Sequence, residues 1–194
     1  MSSVEQLKQR VGVLVELLKR SNSLGRTAVM KLMFFLQELK GVDLGYQFRI
    51  YTYGPFDSSV LEDLSYAESL GIINSEIESF PNGYSYKYQN NPQCELNMSK
   101  AQEFIESHQD SIAWVSGKFG KMNASELELL STIVYVDRLY HQYGDKVSIN
   151  EICEKVKKIK THFSEDYILN NAQDLLSINL LISVNEFNSY SHCG

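Results

Sequence analysis

The sequence contains little cysteine, no long apolar run and no excess of positive charge, and each absence excludes a class of protein. Its 194 residues include only three cysteines, whose odd number and wide spacing form neither a disulfide framework nor a zinc pattern. No apolar run approaches the roughly 20 residues that a membrane helix needs, and the N-terminus lacks the features of a secretory signal. We therefore expect reduced thiols and a cytoplasmic protein.

The charge balance argues against a dedicated nucleic-acid binder. The net charge is −6, with 18 Lys and Arg against 24 Asp and Glu. Such binders usually carry an excess of basic residues, because neutralising phosphates supplies most of their affinity. A local basic patch can still suffice, so DNA binding remains an alternative.

Residues that commonly carry catalysis or bind metals are scattered along the chain. Its four histidines are far apart: His108, His141, His162 and His192. No His-x-x-x-His, Cys-x-x-Cys, Gly-x-Ser-x-Gly or phosphate-loop motif is present. The neighbours Glu62 and Asp63 point in different directions on a helix, so we expect them to be solvated rather than paired for acid–base work. We predict a protein that is not an enzyme, with no cofactor and no metal site.

Helical periodicity is strong in the first 70 residues. Apolar residues at helical spacing predict helices over Val4–Lys19, Arg26–Leu39 and Val60–Leu70. Asp57 or Ser58 is the expected N-cap of the third helix. Gly41 is the expected C-cap of the second helix.

Between the second and third helices, the segment Tyr46–Tyr53 alternates as a strand does. We expect Gly54 and Pro55 to break this strand, because Pro lacks a backbone donor and Gly permits unusual dihedral angles. Beyond the third helix, an Asn-Gly pair between two alternating runs predicts a hairpin. Its predicted strands are Ile72–Phe80 and Tyr84–Gln89. The order of helices, strand, tight turn, helix and hairpin is that of a winged-helix module.

The remainder of the chain is predicted to be helical. Capping boxes begin at Ser99, Ser125 and Ser148, and Ser164 is the expected cap of the last long helix. The first capping box would open a helix that continues to about Phe119. The fold class is therefore α+β and mostly helical. We expect a winged-helix-like module over residues 1–92 and a helical part over residues 93–194, which forms its own bundle or packs on the module as a single domain.

Several motifs between Gly25 and Tyr88 resemble a known family. The motifs are Gly25-Arg26, the helical Lys31, Tyr46-Gln47-Phe48, Tyr53-Gly54-Pro55-Phe56 and Leu70-Gly71-Ile72-Ile73. They are similar to those of the YwgA-type proteins and, more distantly, of the SocA-like Panacea domains found in many bacterial antitoxins. The resemblance covers about a third of the chain and implies a winged-helix-like fold in bacteria or phage. For Panacea domains it implies neutralisation of a toxin by direct contact, whereas the YwgA type has no established activity. Phe56 stands where the family commonly has Tyr.

Our first functional hypothesis is a protein-interaction module, such as an antitoxin or a phage-defence component. Aromatic side chains and Arg are enriched at interface anchors. The predicted partner-binding residues are Arg49, Tyr51, Tyr53, Pro55 and Phe56. The helix that would read DNA, Asp57–Leu70, contains four acidic residues and no Lys or Arg, and the hairpin adds Glu76 and Glu78. These acids would repel phosphate.

The alternative hypothesis is a DNA-binding regulator that uses a basic patch on a C-terminal helix. This patch would consist of Lys155, Lys157, Lys158 and Lys160, which could equally form a solvated helix face. A second basic group, Arg26 and Lys31, could contact an anion and converge with Arg49. Lys31 could instead be a lysine that extends its ammonium group to solvent. A third hypothesis is homodimerisation through the apolar C-terminal helix.

Overall fold

The structure is a computed structural model that describes residues 3–21, 23–80, 83–93 and 99–184. Within these residues the protein is mostly helical, with 62% helix, small antiparallel sheets in the N-terminal half and a helical C-terminal part. This result confirms the predicted α+β class. None of the described helices combines the length and apolarity that crossing a membrane would require.

Eight helices and five strands make up the described part of the chain. The helices are α1 (Ser3–Ser21), α2 (Arg26–Lys40), α3 (Ser58–Ser69), α4 (Ser99–Ser107), α5 (Gln109–Phe119), α6 (Ala124–Gln142), α7 (Ile149–Ile159) and α8 (Glu165–Ser177). The strands are β1 (Leu24–Gly25), β2 (Arg49–Tyr51), β3 (Gly54–Phe56), β4 (Ile73–Phe80) and β5 (Gly83–Asn90).

The chain divides into two compact units. The first contains Met1–Arg49 and Phe56–Leu127, and the second contains Ile50–Pro55 and Glu128–Gly194. Helices α4 and α5, which fall within the predicted C-terminal helical part over residues 93–194, therefore belong to the first unit, where they pack against α1. The short segment 50–55 belongs with α7 and α8 in the second unit.

The first unit contains a three-stranded antiparallel sheet in the order β1-β5-β4. Strands β4 and β5 form the predicted hairpin, with Ile73 opposite Asn90 and Phe80 opposite Gly83. Strand β1 pairs with the other side of β5, so that Leu24 lies opposite Tyr88. The turn residues Pro81 and Asn82 lie outside the described residues.

Helix α2 forms the centre of the first unit's core. All eight residues from Val29 to Leu36 are buried, and all of them except Lys31 are apolar, so this part of the helix is buried on every side. The Phe35 ring stacks on Phe119 at 4.3 Å between centroids, and Phe34 contacts Phe48 edge to face at 5.2 Å. The helix ends at Gly41, whose φ of 64° is left-handed, as the C-cap prediction requires.

The predicted strand over Tyr46–Tyr53 is wrong in its extent. Only Arg49–Tyr51 forms β2, and the chain turns at Thr52 and Tyr53 before returning as β3. Gly54 and Pro55 therefore begin the second strand rather than ending the first. The side-chain alternation persists up to the turn, since Tyr46 is buried and its neighbour Gln47 is exposed.

Helix capping in the C-terminal half agrees with the sequence in two places. Ser148 forms the predicted capping box with Glu151, and the Ser164 hydroxyl accepts a hydrogen bond from the Tyr167 amide at 3.2 Å. Elsewhere the helix predicted from Ser99 to Phe119 is wrong, because it is interrupted at His108. The Ser99 side chain lies outside the described ones, and the Gln102 side chain donates to Glu106 at 2.9 Å.

The capping box predicted at Ser125 is also wrong, because the cap lies two residues earlier. The Asn123 side chain accepts from the amides of Ser125 and Glu126 at 2.9 and 3.0 Å. Glu126 in turn accepts from the Asn123 amide at 2.8 Å. Asn caps a helix as well as Ser does, and the acid three residues later completes the pair.

Candidate partner-binding site

The turn between β2 and β3 carries the predicted partner-binding residues. Tyr51 and Tyr53 are 69% and 67% exposed, and Arg49 is also exposed. Pro55 is buried and Phe56 is half-buried, so the structure places these two below the tip of the turn. The exposed part of the predicted surface is therefore Arg49, Tyr51 and Tyr53, which we call the tyrosine turn.

A buried lysine fixes the backbone of the tyrosine turn from within the second unit. Lys160 is 1% exposed, and its ammonium group donates a hydrogen bond to the Thr52 carbonyl oxygen at 2.5 Å. The same group pairs with the Glu128 carboxylate at 2.7 Å. Lys160 is the C-cap residue of α7 and Glu128 lies on α6, so two helices hold the turn.

Gly54 brings the turn close to α6. Its φ of +88° is a conformation that residues with a side chain rarely adopt. A Cβ atom here would lie 3.0 Å from the Thr132 hydroxyl oxygen and 3.3 Å from that of Ser131. Both hydroxyls donate to the Glu128 carbonyl oxygen, at 2.7 and 3.1 Å. Glycine is thus required at this position for conformation and for space.

The geometry of the tyrosine turn suits recognition of another macromolecule. A tyrosine offers a large apolar ring and a hydroxyl, and it loses little conformational entropy when it is immobilised. A backbone already fixed by Lys160 lowers the ordering cost of binding further. Two such side chains on one short turn are therefore well placed to act as interface anchors.

The predicted basic patch on α7 is not a continuous surface. Lys160 is buried, and Lys157 donates to the carbonyl oxygens of Thr161 and Phe163 at 3.0 and 2.7 Å. Of these four lysines, only Lys155 and Lys158 are exposed.

These two exposed lysines lie among acids. Exposed Glu151 and Glu154 precede Lys155 and Lys158 by four residues, a spacing that places opposite charges side by side on a helix. The exposed face of α7 therefore has little net positive charge to offer a phosphate backbone.

The second basic group also fails to form a patch. Lys31 is 2% exposed, so the interpretation that its ammonium group reaches solvent is wrong: α2 is buried around its whole circumference. The same burial argues against an anion contact by Lys31. Arg26 is exposed, and its guanidinium stacks over the Tyr86 ring at 4.3 Å and donates to the Tyr88 hydroxyl at 3.3 Å.

One of the acids expected on the surface of α3 is instead part of the core. Asp63 is 1% exposed and lies 2.8 and 3.0 Å from two nitrogens of Arg10. It also accepts from the Tyr46 hydroxyl at 2.6 Å. Burial raises the pKa of the Asp63 carboxyl, while its contacts with Tyr46 and Arg10 act in the opposite direction. The prediction that Asp63 is solvated is wrong.

The remaining acids of α3 give a weaker negative face than expected. Asp57 is the N-cap, as predicted, and accepts from the Ser59 amide at 2.8 Å. Glu62 and Glu68 are exposed. On the hairpin, Glu78 is paired with Lys87 at 2.5 Å. The surface formed by α3 and the hairpin therefore has fewer unpaired negative charges to repel phosphate than the sequence predicts.

The described residues contain no group of three or more His, Cys, Asp or Glu side chains that could hold a metal ion. Cys153 is a free, partly buried thiol, and burial raises its pKa to about 11. At neutral pH this thiol is protonated and is a weak nucleophile.

A scan against models of known protein families finds no match, and no curated protein matches the chain. The resemblance of Gly25–Tyr88 to the YwgA-type proteins therefore stays a prediction that depends on those residues alone.

Proposed function

We propose that the protein is a cytoplasmic, non-enzymatic interaction protein with a winged-helix-like module, and that it binds a protein partner through the tyrosine turn. The order α1, β1, α2, β2, β3, α3, β4, β5, with β1 and β4 on either side of β5, supports this description of the module. The observation that carries the proposal is a pair of tyrosines, each two-thirds exposed, on a backbone held by a buried ion pair.

A protein is the partner that this surface favours. Tyr and Arg are among the residues most enriched at the energetic centres of protein interfaces. Reading DNA would require several cations to neutralise phosphates, and the exposed face of α7 carries as many Glu as Lys residues. The resemblance to Panacea domains supports an antitoxin or phage-defence role, in which direct contact would neutralise the partner.

Affinity purification with matched tyrosine variants tests the proposal. The tagged full chain, the Tyr51→Ser/Tyr53→Ser variant and a Tyr143→Ser control would each be expressed in the source cells, and co-purifying proteins would be quantified by mass spectrometry. Tyr143 is 74% exposed and lies in the same unit, so the control removes one tyrosine ring as exposed as either ring of the turn. We expect one stoichiometric partner with the wild type and the control, and its loss with the double variant.

Reconstitution then makes the test quantitative. With the purified partner, we expect the double variant to bind at least about tenfold more weakly, which corresponds to about 1.4 kcal/mol. An unchanged dissociation constant would remove the tyrosine turn as the site. If the chain instead shifted duplex DNA in a salt-dependent manner that Lys155→Glu/Lys158→Glu abolished, the regulator hypothesis would replace this one.

A further inference from the structure

A groove in the first unit combines an arginine with tyrosines and is distinct from the tyrosine turn. It has a volume of about 550 Å³, within the range of about 300–1,000 Å³ that ligand clefts occupy. The start of α2 forms one wall, β5 forms the second, and the link between α5 and α6 forms the third. Its lining includes Arg26, Thr27, Ala28, Tyr84, Ser85 and Met122.

The position of Arg26 in this groove is well defined. Its guanidinium lies over the Tyr86 ring at 4.3 Å, and one nitrogen donates to the Tyr88 hydroxyl at 3.3 Å. A guanidinium carries five N–H donors in a fixed planar arrangement, so one hydrogen bond orients the group without using its capacity. Because Arg26 is exposed, a ligand in the groove can reach the guanidinium.

The charge of the groove selects an anionic ligand. Arg26 is its one charged lining residue among those that the structure describes, although the whole chain has a net charge of −6. Thr27, Ser85 and Tyr84 add hydroxyl groups. Ala28, Met122 and Ala124 add apolar surface. A carboxylate beside an apolar side chain matches this combination, since Arg binds carboxylates with two parallel hydrogen bonds.

We propose that this groove binds a short peptide segment of a partner protein that carries an acidic residue next to an apolar one. Tyr84, which is 67% exposed, and Arg26 are residue types that dominate peptide and protein interfaces. A single-stranded nucleic acid fits less well, because it would place several phosphates along a groove whose lining offers one cation and whose neighbouring strand carries the exposed Glu76. This inference does not depend on the tyrosine turn.

Amide chemical shifts of the isotope-labelled full chain provide the test. The probe is the acetylated, amidated tetrapeptide Leu-Glu-Phe-Leu, with Leu-Gln-Phe-Leu as the neutral counterpart. We expect the acidic probe to shift the amides of Thr27, Ala28 and Ser85, and the neutral probe to bind about tenfold more weakly because it loses the charge-assisted contact.

Two variants and one control assign the effect to the groove. Arg26→Gln should weaken binding of the acidic probe about tenfold, whereas Arg20→Gln removes the same charge from α1 outside the groove and should leave the binding unchanged. Thr27→Glu keeps Arg26 and should abolish binding by placing a competing carboxylate beside it. Unchanged melting temperatures would confirm that all three variants are folded.

Three results would overturn the inference. Equal binding of the acidic and neutral probes, or of the wild type and Arg26→Gln, would show that the guanidinium does not recognise the carboxylate. Inorganic phosphate that moves the same amides at the same concentration would reduce the site to a general anion contact. A deoxythymidine oligomer that binds there while the peptide does not would replace the peptide with single-stranded nucleic acid.

Discussion

Replacing Lys160 with methionine removes the anchor of the tyrosine turn while keeping most of the side-chain volume. The lysine is 1% exposed, and the side chain of its partner Glu128 is 11% exposed. In the variant, the Glu128 carboxylate stays in a largely buried position without the ammonium group that now lies 2.7 Å away. The Thr52 carbonyl oxygen also loses the donor that now lies at 2.5 Å.

The size of the effect follows from burial. Removing one partner of a buried ion pair costs about 3–5 kcal/mol of folding free energy, because the other charge remains without compensation. The residual exposure of Glu128 lets water reach the carboxylate, which favours the lower end of that range. We therefore expect Lys160→Met to lower the free energy of unfolding of the second unit by about 3 kcal/mol.

A second variant separates the charge from the carbonyl contact. In Lys160→Met/Glu128→Leu, apolar groups replace both members of the pair, and this kind of replacement is often neutral. Only the lost donor to Thr52 remains, at a cost of about 1–2 kcal/mol. Glu128→Leu leaves the buried Lys160 ammonium group unpaired and should likewise cost about 3 kcal/mol, so double-mutant analysis should then give a coupling energy of about 4–5 kcal/mol.

Urea unfolding followed by far-ultraviolet circular dichroism measures these free energies. The single tryptophan, Trp114, lies in the first unit, so its fluorescence reports whether that unit is affected. Hydrogen exchange in α7 and α8 locates the change within the second unit. A loss below about 1 kcal/mol together with a coupling energy near zero would contradict a buried pair, since exposed pairs contribute only that much.

Two further predictions concern backbone conformation and thiol reactivity. Gly54→Ala should lower the free energy of unfolding by about 2–4 kcal/mol, because it adds a close contact to the strain of a positive φ. The control is Gly41→Ala, where no atom lies within 4 Å and the loss should be only about 1–2 kcal/mol. Equal losses in urea unfolding would show that the turn does not contact α6. In a Cys94→Ser/Cys193→Ser background, Cys153 should react with a thiol reagent at pH 8 at least about 100-fold more slowly in the native protein than in urea. The reason is that a pKa of about 11 leaves only a small fraction of the thiol deprotonated at this pH. Similar rates in the two conditions would contradict the burial of Cys153.

Local signals in the sequence were sufficient to predict most of the helices and strands. The Ser148 box, the Gly41 cap and the β4–β5 hairpin each depend on a few neighbouring residues whose hydrogen bonds are made locally, and the structure contains all three. The predicted strand over Tyr46–Tyr53 was wrong because the chain reverses at Thr52 and Tyr53, and this reversal depends on a contact with a segment that is distant in the sequence. Gly54 adopts its positive φ where it meets α6, which no local pattern shows.

Buried charges were the main source of error, although a spacing signal was present. Lys160 follows Ile152 and Val156 at intervals of four, so it continues the stripe of α7 that faces the interior. Asp63 lies between Val60 and Ala67 on the apolar face of α3 in the same way. A charged residue in such an apolar stripe predicts an oppositely charged partner in the interior. The partner of Lys160 is Glu128, and that of Asp63 is Arg10. Pairing between distant segments could not be read from one sequence.

The burial of Asp63 and Lys160 reduces the electrostatic preference of this protein for one class of partner over another. Counting charges along the chain made α3 acidic and α7 basic, but each helix loses a charged residue to the interior, where it stabilises the fold instead of meeting a ligand. Helix α3 then presents two exposed acids, Glu62 and Glu68, and α7 presents a mixed surface, so long-range electrostatics favours neither partner strongly. The decisive feature becomes apolar: Tyr51 and Tyr53 expose ring surface whose removal from water stabilises a complex at any ionic strength. We therefore expect partner binding to weaken little between low and physiological salt, whereas binding to DNA would weaken steeply.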